Sequence, residues 1–124
     1  MSLQSFRDLL VWQRGMPFVD RCYEITEDFP KSQMYTLTNQ IQRAAVSVPS
    51  NIAEGAGRGH TREFIQHLYI ARGSIFECAT QLEIAARRGY MPIELTATLL
   101  TEADEIGRML FGLINSLERK LDSP

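Results

Sequence analysis

The sequence predicts an all-α protein with one domain over residues 1–124, folded as an up-down-up-down four-helix bundle. Two long segments carry apolar residues at alternating spacings of three and four, which is the pattern of a helix that buries one side. Glycine and proline fall between the segments, where helices end. A chain of 124 residues with 44% hydrophobic and 23% charged residues suits a single globular domain and excludes general disorder. We expect helices over 6–28, 34–57, 61–88 and 92–121, joined by short links.

The first two helices are each interrupted by residues that disfavour helix. Gly15 and Pro17 predict a bend in helix one, and Phe29 followed by Pro30 ends it. Pro49 predicts a kink in helix two, or a break between residues 46 and 47. Residues 44–48 could also form a short strand, but their helical register outweighs that reading. The core positions expected are Phe6, Leu9, Leu10, Met16, Val19 and Cys22 or Tyr23 in helix one, and Leu37, Ile41, Ala44, Val48 and Ile52 in helix two.

The last two helices have the clearest patterns. Both show apolar residues with a mean spacing near 3.5, which requires packing against partner helices. Gly89 is placed to end helix three in the left-handed region, after Arg87 and Arg88, and Pro92 suits the first turn of helix four. The predicted seams are Phe64, Leu68, Ala71, Ile75, Cys78, Leu82 and Ala85, and then Leu99, Ala103, Ile106, Leu110, Leu113, Leu117 and Leu121.

Charge and cysteine content limit the classes of function. The net charge is −2, distributed as −1 over residues 1–39, +2 over 40–88 and −3 over 89–124. This balance argues against tight general binding of nucleic acid by a monomer. Cys22 and Cys78 are interpreted as small core residues of a cytoplasmic protein, rather than as a disulfide or a reactive thiol. We see no secretion signal and no apolar run long enough to span a membrane, and we expect no cofactor.

A glycine-rich stretch between helices two and three is the most informative local feature. Gly55, Gly57 and Gly59 alternate with other residues and lead into Arg58, His60 and Arg62. Glycine allows close approach by a ligand, and the free N–H groups of the next helix point toward this loop. One interpretation is therefore a binding site for an anion or a phosphate. The other is an ordinary helix–helix turn in which Thr61 is the N-cap.

Helices two and three also carry polar residues at spacings that place them on one face. One hypothesis is a buried polar cluster neutralised by Arg43 or Arg58. The functional form of this cluster would be a carboxylate pair for acid–base catalysis or a metal site, and the structural form a hydrogen-bonded network. No histidine follows a seam-facing glutamate by three residues, so we predict no metal site. The cluster comprises Ser47, Asn51, Glu54, Ser74 and Glu77.

Several aromatic residues lie outside the predicted seams. Ile65, Tyr69 and Phe76 form a second stripe on helix three, which a bundle does not need and which indicates subunit contact. Trp12 is interpreted as a packed or interface aromatic rather than a base-stacking platform. His67 is expected to pair with Glu63 at the surface.

Four blocks of the sequence resemble a known family. They are residues 6–13, 29–30, 40–58 and 71–77, and they contain the motifs Arg-Ala-Ala-x-Ser, Asn-Ile-Ala-Glu-Gly and Gly-Ser-x-x-Glu. Over nearly the whole chain they look like the four-helix-bundle proteins encoded in intervening sequences of bacterial 23S ribosomal RNA genes. That family is similar in turn to the accessory variability protein of diversity-generating retroelements, a homopentamer that binds nucleic acid and a reverse transcriptase.

The resemblance implies a cytosolic, non-enzymatic, pentameric bundle without a settled activity. Our first hypothesis is an oligomeric module that binds structured RNA or DNA, with the loop holding one phosphate. The second is a protein–protein adaptor or structural oligomer that uses Trp12, Tyr69 and Phe76 and binds no nucleic acid. A hydrolase using Glu54 and Glu77 is kept only as a third possibility. The phosphate-contacting residues of the first hypothesis are Arg43, Arg58, Arg62, Arg72, Gly57 and Gly59.

Overall fold

Four α-helices contain most of the residues 5–123 that this computed structural model describes. The helices are α1 (Leu10–Thr26), α2 (Leu37–Gly57), α3 (Thr61–Arg87) and α4 (Ile93–Asp122). No strand occurs within residues 5–123, so the predicted all-α class with four helices is confirmed and residues 44–48 are helical. None of the helices in this part of the chain combines the length and apolar character needed to cross a membrane.

Two short 3-10 turns shift the helix starts from the predicted positions. Ser5 accepts a hydrogen bond from the backbone N–H of Arg7 (3.1 Å) and caps a turn over Phe6–Asp8. Leu9 is then extended, with φ −73° and ψ 124°, so α1 begins at Leu10 rather than at residue 6. A second turn over Lys31–Gln33 delays α2 until Leu37. Local turns therefore override the apolar pattern at both starts, and Ser5 caps the first of them.

The buried side of α1 differs from the one predicted. Leu10 and Met16 are exposed, and the predicted seam is wrong for them. The observed seam has spacings of four and three, but one of its members is a glycine, which an apolar count misses. The buried residues are Val11, Gly15, Phe18, Cys22, Ile25 and Thr26.

Gly15 lies in this seam because α2 approaches closely there. A Cβ atom at position 15 would lie 3.8 Å from both Pro49 and Val48. Pro49 does not split α2, which is continuous from Leu37 to Gly57, and its ring is buried against α1. The apolar contact of the ring offsets part of the cost of the hydrogen bond that proline removes.

The seams of α3 and α4 are buried as predicted over most of their length. On α3 only Phe64 is partly exposed. On α4 the seam holds from Leu99 to Leu110, after which Ile114 is the buried residue and Leu121 is exposed. A helix with 3.6 residues per turn drifts by about 20° per heptad from a strict seven-residue repeat, which accounts for the shift.

Gly89 ends α3 as predicted. Its φ is 78°, and the N–H groups of Gly89 and Tyr90 bond to the carbonyls of Ala86 (3.0 Å) and Ala85 (2.9 Å). These two bonds form a Schellman motif, which needs a left-handed residue at this position.

The helices surround one core, with α2 and α3 sharing the most extensive contact. Along the described chain the backbones of α1 and α3 do not approach within 8 Å, and neither do those of α2 and α4. These two pairs are therefore diagonal, and each helix packs against two neighbours.

The two cysteines lie in this core, as predicted. Both are free and fully buried. The neighbouring Cys78 thiol, together with burial, raises the pKa of the Cys22 thiol far above its ordinary value. Cys22 therefore stays protonated and unreactive in the folded protein.

Candidate functional site

The link between α2 and α3 consists of only residues 58–60. Gly59 takes a positive φ of 76°, which lets the chain reverse. His60 precedes the first helical residue with φ −126°, and its side chain does not cap α3. Thr61 is the first residue of α3 rather than its N-cap, so that prediction is wrong. The first N–H groups of α3 therefore have no side-chain acceptor from the capping position.

A groove of about 390 Å³ lies between this link and the last turns of α4. We call it the loop groove. Leu9, Phe64 and Leu113 contribute its apolar walls, and His60 and Lys120 contribute polar groups. Its remaining lining residues are Gly55, Ala56, Gly59, Thr61 and Leu117. The groove combines an apolar surface with the positive end of the α3 dipole, a combination that suits a ligand with an anionic group.

The four arginines proposed as phosphate contacts do not form one patch. Arg43 of α2 lies fifteen residues before Arg58, which directly follows the helix, a rise of about 22 Å along the helix axis. Arg72 follows Arg62 by ten residues on α3, a rise of about 15 Å. Only Arg58 and Arg62 lie beside the link, together with Gly57 and Gly59. A single phosphate group cannot be held by all four arginines of one chain.

The polar cluster predicted between α2 and α3 is present in part. The hydroxyls of Ser47 and Ser74 are 2.8 Å apart, and the Asn51 amide donates to both the hydroxyl and the carbonyl of Ser47 at 2.9 Å. Glu77 is exposed on α3 and takes no part in this network. Ser47, Asn51 and Ser74 join two helices by hydrogen bonds, which is a structural role.

Glu54 belongs to a different set of contacts. Its carboxylate accepts from His67 Nε2 at 3.0 Å and lies 3.7 Å from the Arg58 guanidinium. The other ring nitrogen of His67 bonds to the backbone carbonyl of Glu63 at 2.9 Å. His67 therefore contacts the backbone of Glu63 and the side chain of Glu54, and the predicted side-chain pair with Glu63 is wrong.

Glu54 and Glu77 do not form a catalytic pair of carboxylates. Glu54 lies level with His67, and Glu77 is ten residues further along α3, about 15 Å away along the axis. Paired carboxylates in hydrolysis are roughly 5–10 Å apart. Within residues 5–123 no group of three or more histidine, cysteine or acidic side chains is arranged to hold a metal ion.

A second surface lies where α3 and α4 meet. Tyr69 and Phe76 of α3 and Phe111 of α4 are 45%, 46% and 45% exposed. Between the two phenylalanines lies Arg72, whose guanidinium carbon is 5.2 Å from the centre of the Phe76 ring and 4.7 Å from that of Phe111. We call these four residues the aromatic surface. A pocket of about 220 Å³ opens beside them.

The other residues predicted with this stripe lie elsewhere. Ile65 is buried in the core, so its assignment to an exposed stripe is wrong. Trp12 lies on α1, half-buried, with its ring edge-to-face on Phe6 at 5.4 Å between centroids. It packs locally and is not continuous with Tyr69 and Phe76.

Comparison with known proteins identifies the family. The profile of the family described as "23S rRNA-intervening sequence protein" matches residues 7–112. The chain belongs to this family. A crystal structure described as that of a protein of unknown function from the S23 ribosomal protein family of Bacteroides thetaiotaomicron is similar, with 24% identity and a TM-score of 0.76. The alignment covers 85% of this chain and 98% of that one, and it shows that the fold is shared. No curated protein matches.

The family segment contains most of the two candidate sites. The aromatic surface lies entirely within residues 7–112, whereas Leu113, Leu117 and Lys120 of the loop groove follow the matched segment. Neither Phe111 nor Lys120 was predicted as a site residue from the sequence. Phe111 is one residue beyond the apolar seam position Leu110, and that neighbourhood is the signal which could have marked it as an outward-facing aromatic.

Proposed function

We propose that this protein of the 23S rRNA-intervening sequence family is a non-enzymatic bundle that assembles with copies of itself through the aromatic surface. The observation that carries the proposal is the exposure of Tyr69, Phe76 and Phe111 on one face. The four-helix core is complete without them, so their burial is not needed for the fold. Grouped exposed aromatic residues mark sites of protein contact, because they supply large apolar area at a small entropic cost.

We further propose that helix direction alternates in the bundle and that five copies form a ring. Contacts that run in opposite order along neighbouring helices support the alternation, since α2 and α3 meet at Ser47–Ser74 and again at Glu54–His67. The resemblance to the pentameric accessory variability protein supports the number of copies. We place the assembly in the cytosol, because both of its thiols are free.

Measurement of mass in solution tests the assembly. We expect the wild type to have a mass of about 70 kDa by light scattering, five times the 14.1 kDa of one chain. The double substitution Tyr69→Ser and Phe76→Ser removes apolar contact from the interface and should lower the mass to that of a monomer, with an unchanged circular dichroism spectrum. The control is Tyr35→Ser, which removes an exposed aromatic residue that precedes α2 and belongs to neither proposed contact surface.

Two results would count against this proposal. If the wild type is monomeric across micromolar concentrations, the aromatic surface does not join copies of this chain. The adaptor function, in which this surface binds a different protein, would then be favoured. A double variant that assembles like the wild type would show that the surface is not the contact between copies.

A second candidate function, binding of structured RNA or DNA, is favoured by the loop groove. The free N–H groups at the start of α3, with His60, Thr61 and Lys120 beside them, suit one phosphate. Five such grooves in a ring would bind with avidity even if each is weak. The Glu54 carboxylate beside Arg58 reduces the positive charge at this corner, so we expect modest affinity.

Titration of labelled structured RNA tests this candidate. We expect binding at 50 mM salt that weakens by a factor of 10 or more at 200 mM, since roughly one counterion is released per phosphate contact. Arg58→Ala and Arg62→Ala should weaken it, whereas Arg87→Ala, at the opposite end of α3, should not. Absence of binding at low salt, or binding insensitive to salt, would reject the candidate.

A further inference from the structure

Arg72 makes no hydrogen bond or ion pair with residues 5–123, which the structure describes. Its guanidinium is stacked between Phe76 and Phe111, and its Nε is buried with no hydrogen-bond partner. No carboxylate among residues 5–123 lies within ion-pair distance of it. A guanidinium has five N–H donors in its plane, and stacking on both faces leaves those in-plane donors still to be satisfied. The buried Nε cannot be reached from outside, whereas the terminal nitrogens have no partner among residues 5–123 and border a pocket, so they can bind an acceptor from another chain.

The pocket beside Arg72 has the charge and the size to bind such an acceptor. It is lined by Arg72, Phe76, Asp104, Gly107, Arg108 and Phe111 and measures about 220 Å³. Arg108 is already paired with Asp104 at 2.9 Å, so the positive charge of Arg72 is the one left without compensation. The volume admits a carboxylate side chain, and the guanidinium can bind a carboxylate with two parallel hydrogen bonds.

We infer that this pocket receives a carboxylate from α1 of a neighbouring copy, an inference that rests on the self-assembly proposed above. The outer side of α1 carries Asp20 and Glu24, both exposed and without an ion-pair partner in the described chain. The two arginines of α1 do not neutralise them. Arg14 is held by Glu105 at 3.2 Å, and Arg21 is held by Glu102.

Exposed apolar residues flank these carboxylates. Met16 and Tyr23 are 41% and 43% exposed on α1, and they stand four residues before and three residues after Asp20. These side chains would contact the rings of Phe76 and Phe111 and so surround the ion pair between Arg72 and the carboxylate of the neighbouring copy. Exclusion of water lowers the local dielectric constant and therefore strengthens the ion pair. The acidic side of α1 thus complements the aromatic surface in both charge and polarity.

The positions of the helices make this contact head-to-tail. The backbones of α1 and α3 lie diagonally in the bundle, so the two complementary surfaces are on different sides of one chain. Each copy therefore uses its α1 on one neighbour and its Arg72 pocket on the other. A contact of this kind closes into a ring when the rotation between copies allows it.

A charge exchange tests the inference in the full-length protein. Arg72→Met keeps the apolar stem between the rings but removes the charge, and it should reduce the assembly to a species of 14.1 kDa. Asp20→Arg combined with Glu24→Arg should do the same. Arg72→Glu combined with both α1 substitutions restores opposite charges and should return the wild-type mass. Arg43→Met removes another exposed arginine from α2 and is the matched control, with circular dichroism as the check on folding.

The outcomes separate this inference from the proposal on which it rests. If Tyr69→Ser with Phe76→Ser dissociates the assembly while Arg72→Met does not, self-assembly stands and the carboxylate pocket is wrong. If both charge changes dissociate it but the exchange fails to restore the mass, the carboxylate does not come from α1 and the inference is overturned. A monomeric wild type overturns both.

Discussion

Alanine in place of Phe18 is expected to lower the free energy of unfolding by about 3–5 kcal/mol. The Phe18 side chain is fully buried in α1. Its removal takes away a large apolar area and leaves a cavity that the fixed helices cannot close completely. Domains of this size are stable by only about 5–15 kcal/mol, so the variant should be near its folding limit.

Urea unfolding followed by circular dichroism measures this loss as a lower midpoint. The control is Tyr35→Ala, because that tyrosine is 86% exposed and its removal should change the free energy by less than about 0.5 kcal/mol. Equal midpoints for the two variants would show that Phe18 does not occupy the core of the folded protein in solution.

Gly55→Ala should destabilise the protein by about 1–3 kcal/mol, although alanine normally favours a helix over glycine. The added Cβ would lie 2.7 Å from the Cβ of His67 and 3.1 Å from Cδ1 of Phe64. The first of these atoms is fixed to the α3 backbone, so α2 and α3 would have to separate. The separation would disturb the bond between His67 and Glu54.

Gly57→Ala is the matched control on the same helix. Apart from the adjoining backbone of α2, no atom of residues 5–123 lies within 4 Å of the position its Cβ would take, so the substitution should stabilise by up to about 1 kcal/mol through helix propensity alone. Thermal unfolding of both variants measures the two shifts. A stabilising Gly55→Ala would show that the helices are further apart at this point than the structure places them.

The part of the fold that could be predicted from the sequence is the part in which apolar residues recur at a regular spacing. Leu68, Ile75 and Leu82 recur every seven residues, and all three are fully buried. Such a stripe can only be hidden by neighbouring helices, so it specifies a helical bundle without further information. Gly89 was equally predictable, because few residues besides glycine adopt its positive φ at low cost.

The α1 seam was not predictable in the same way. Gly15 is buried because Pro49 of α2 packs on it, and that contact joins residues 34 positions apart in the sequence. Hydrophobic counting assigns no burial to glycine and favours Met16 beside it. The register of α1 therefore depends on the shape of its partner, which a single helix pattern does not contain.

In the candidate sites, too, contacts within one helix could be predicted from the sequence and contacts between helices could not. The spacing of Ser47 and Asn51 predicted their contact, since residues four apart on a helix are neighbours. The stacking of Arg72 on Phe111 depends on how α4 is placed against α3. Glu54 pairs with Arg58 four residues on, a contact that sequence spacing predicted, and with His67 of α3, which it did not. Contacts between helices are set by packing, and sequence spacing describes contacts within one helix.

The shortness of the α2–α3 link has a consequence for how the chain acquires its structure. Only residues 58–60 separate two helices that share the most extensive contact in the molecule. Closing so small a loop loses little chain entropy, and contacts between residues near in sequence form quickly. We expect this hairpin to be the nucleus of folding, with α1 and α4 docking on it afterwards.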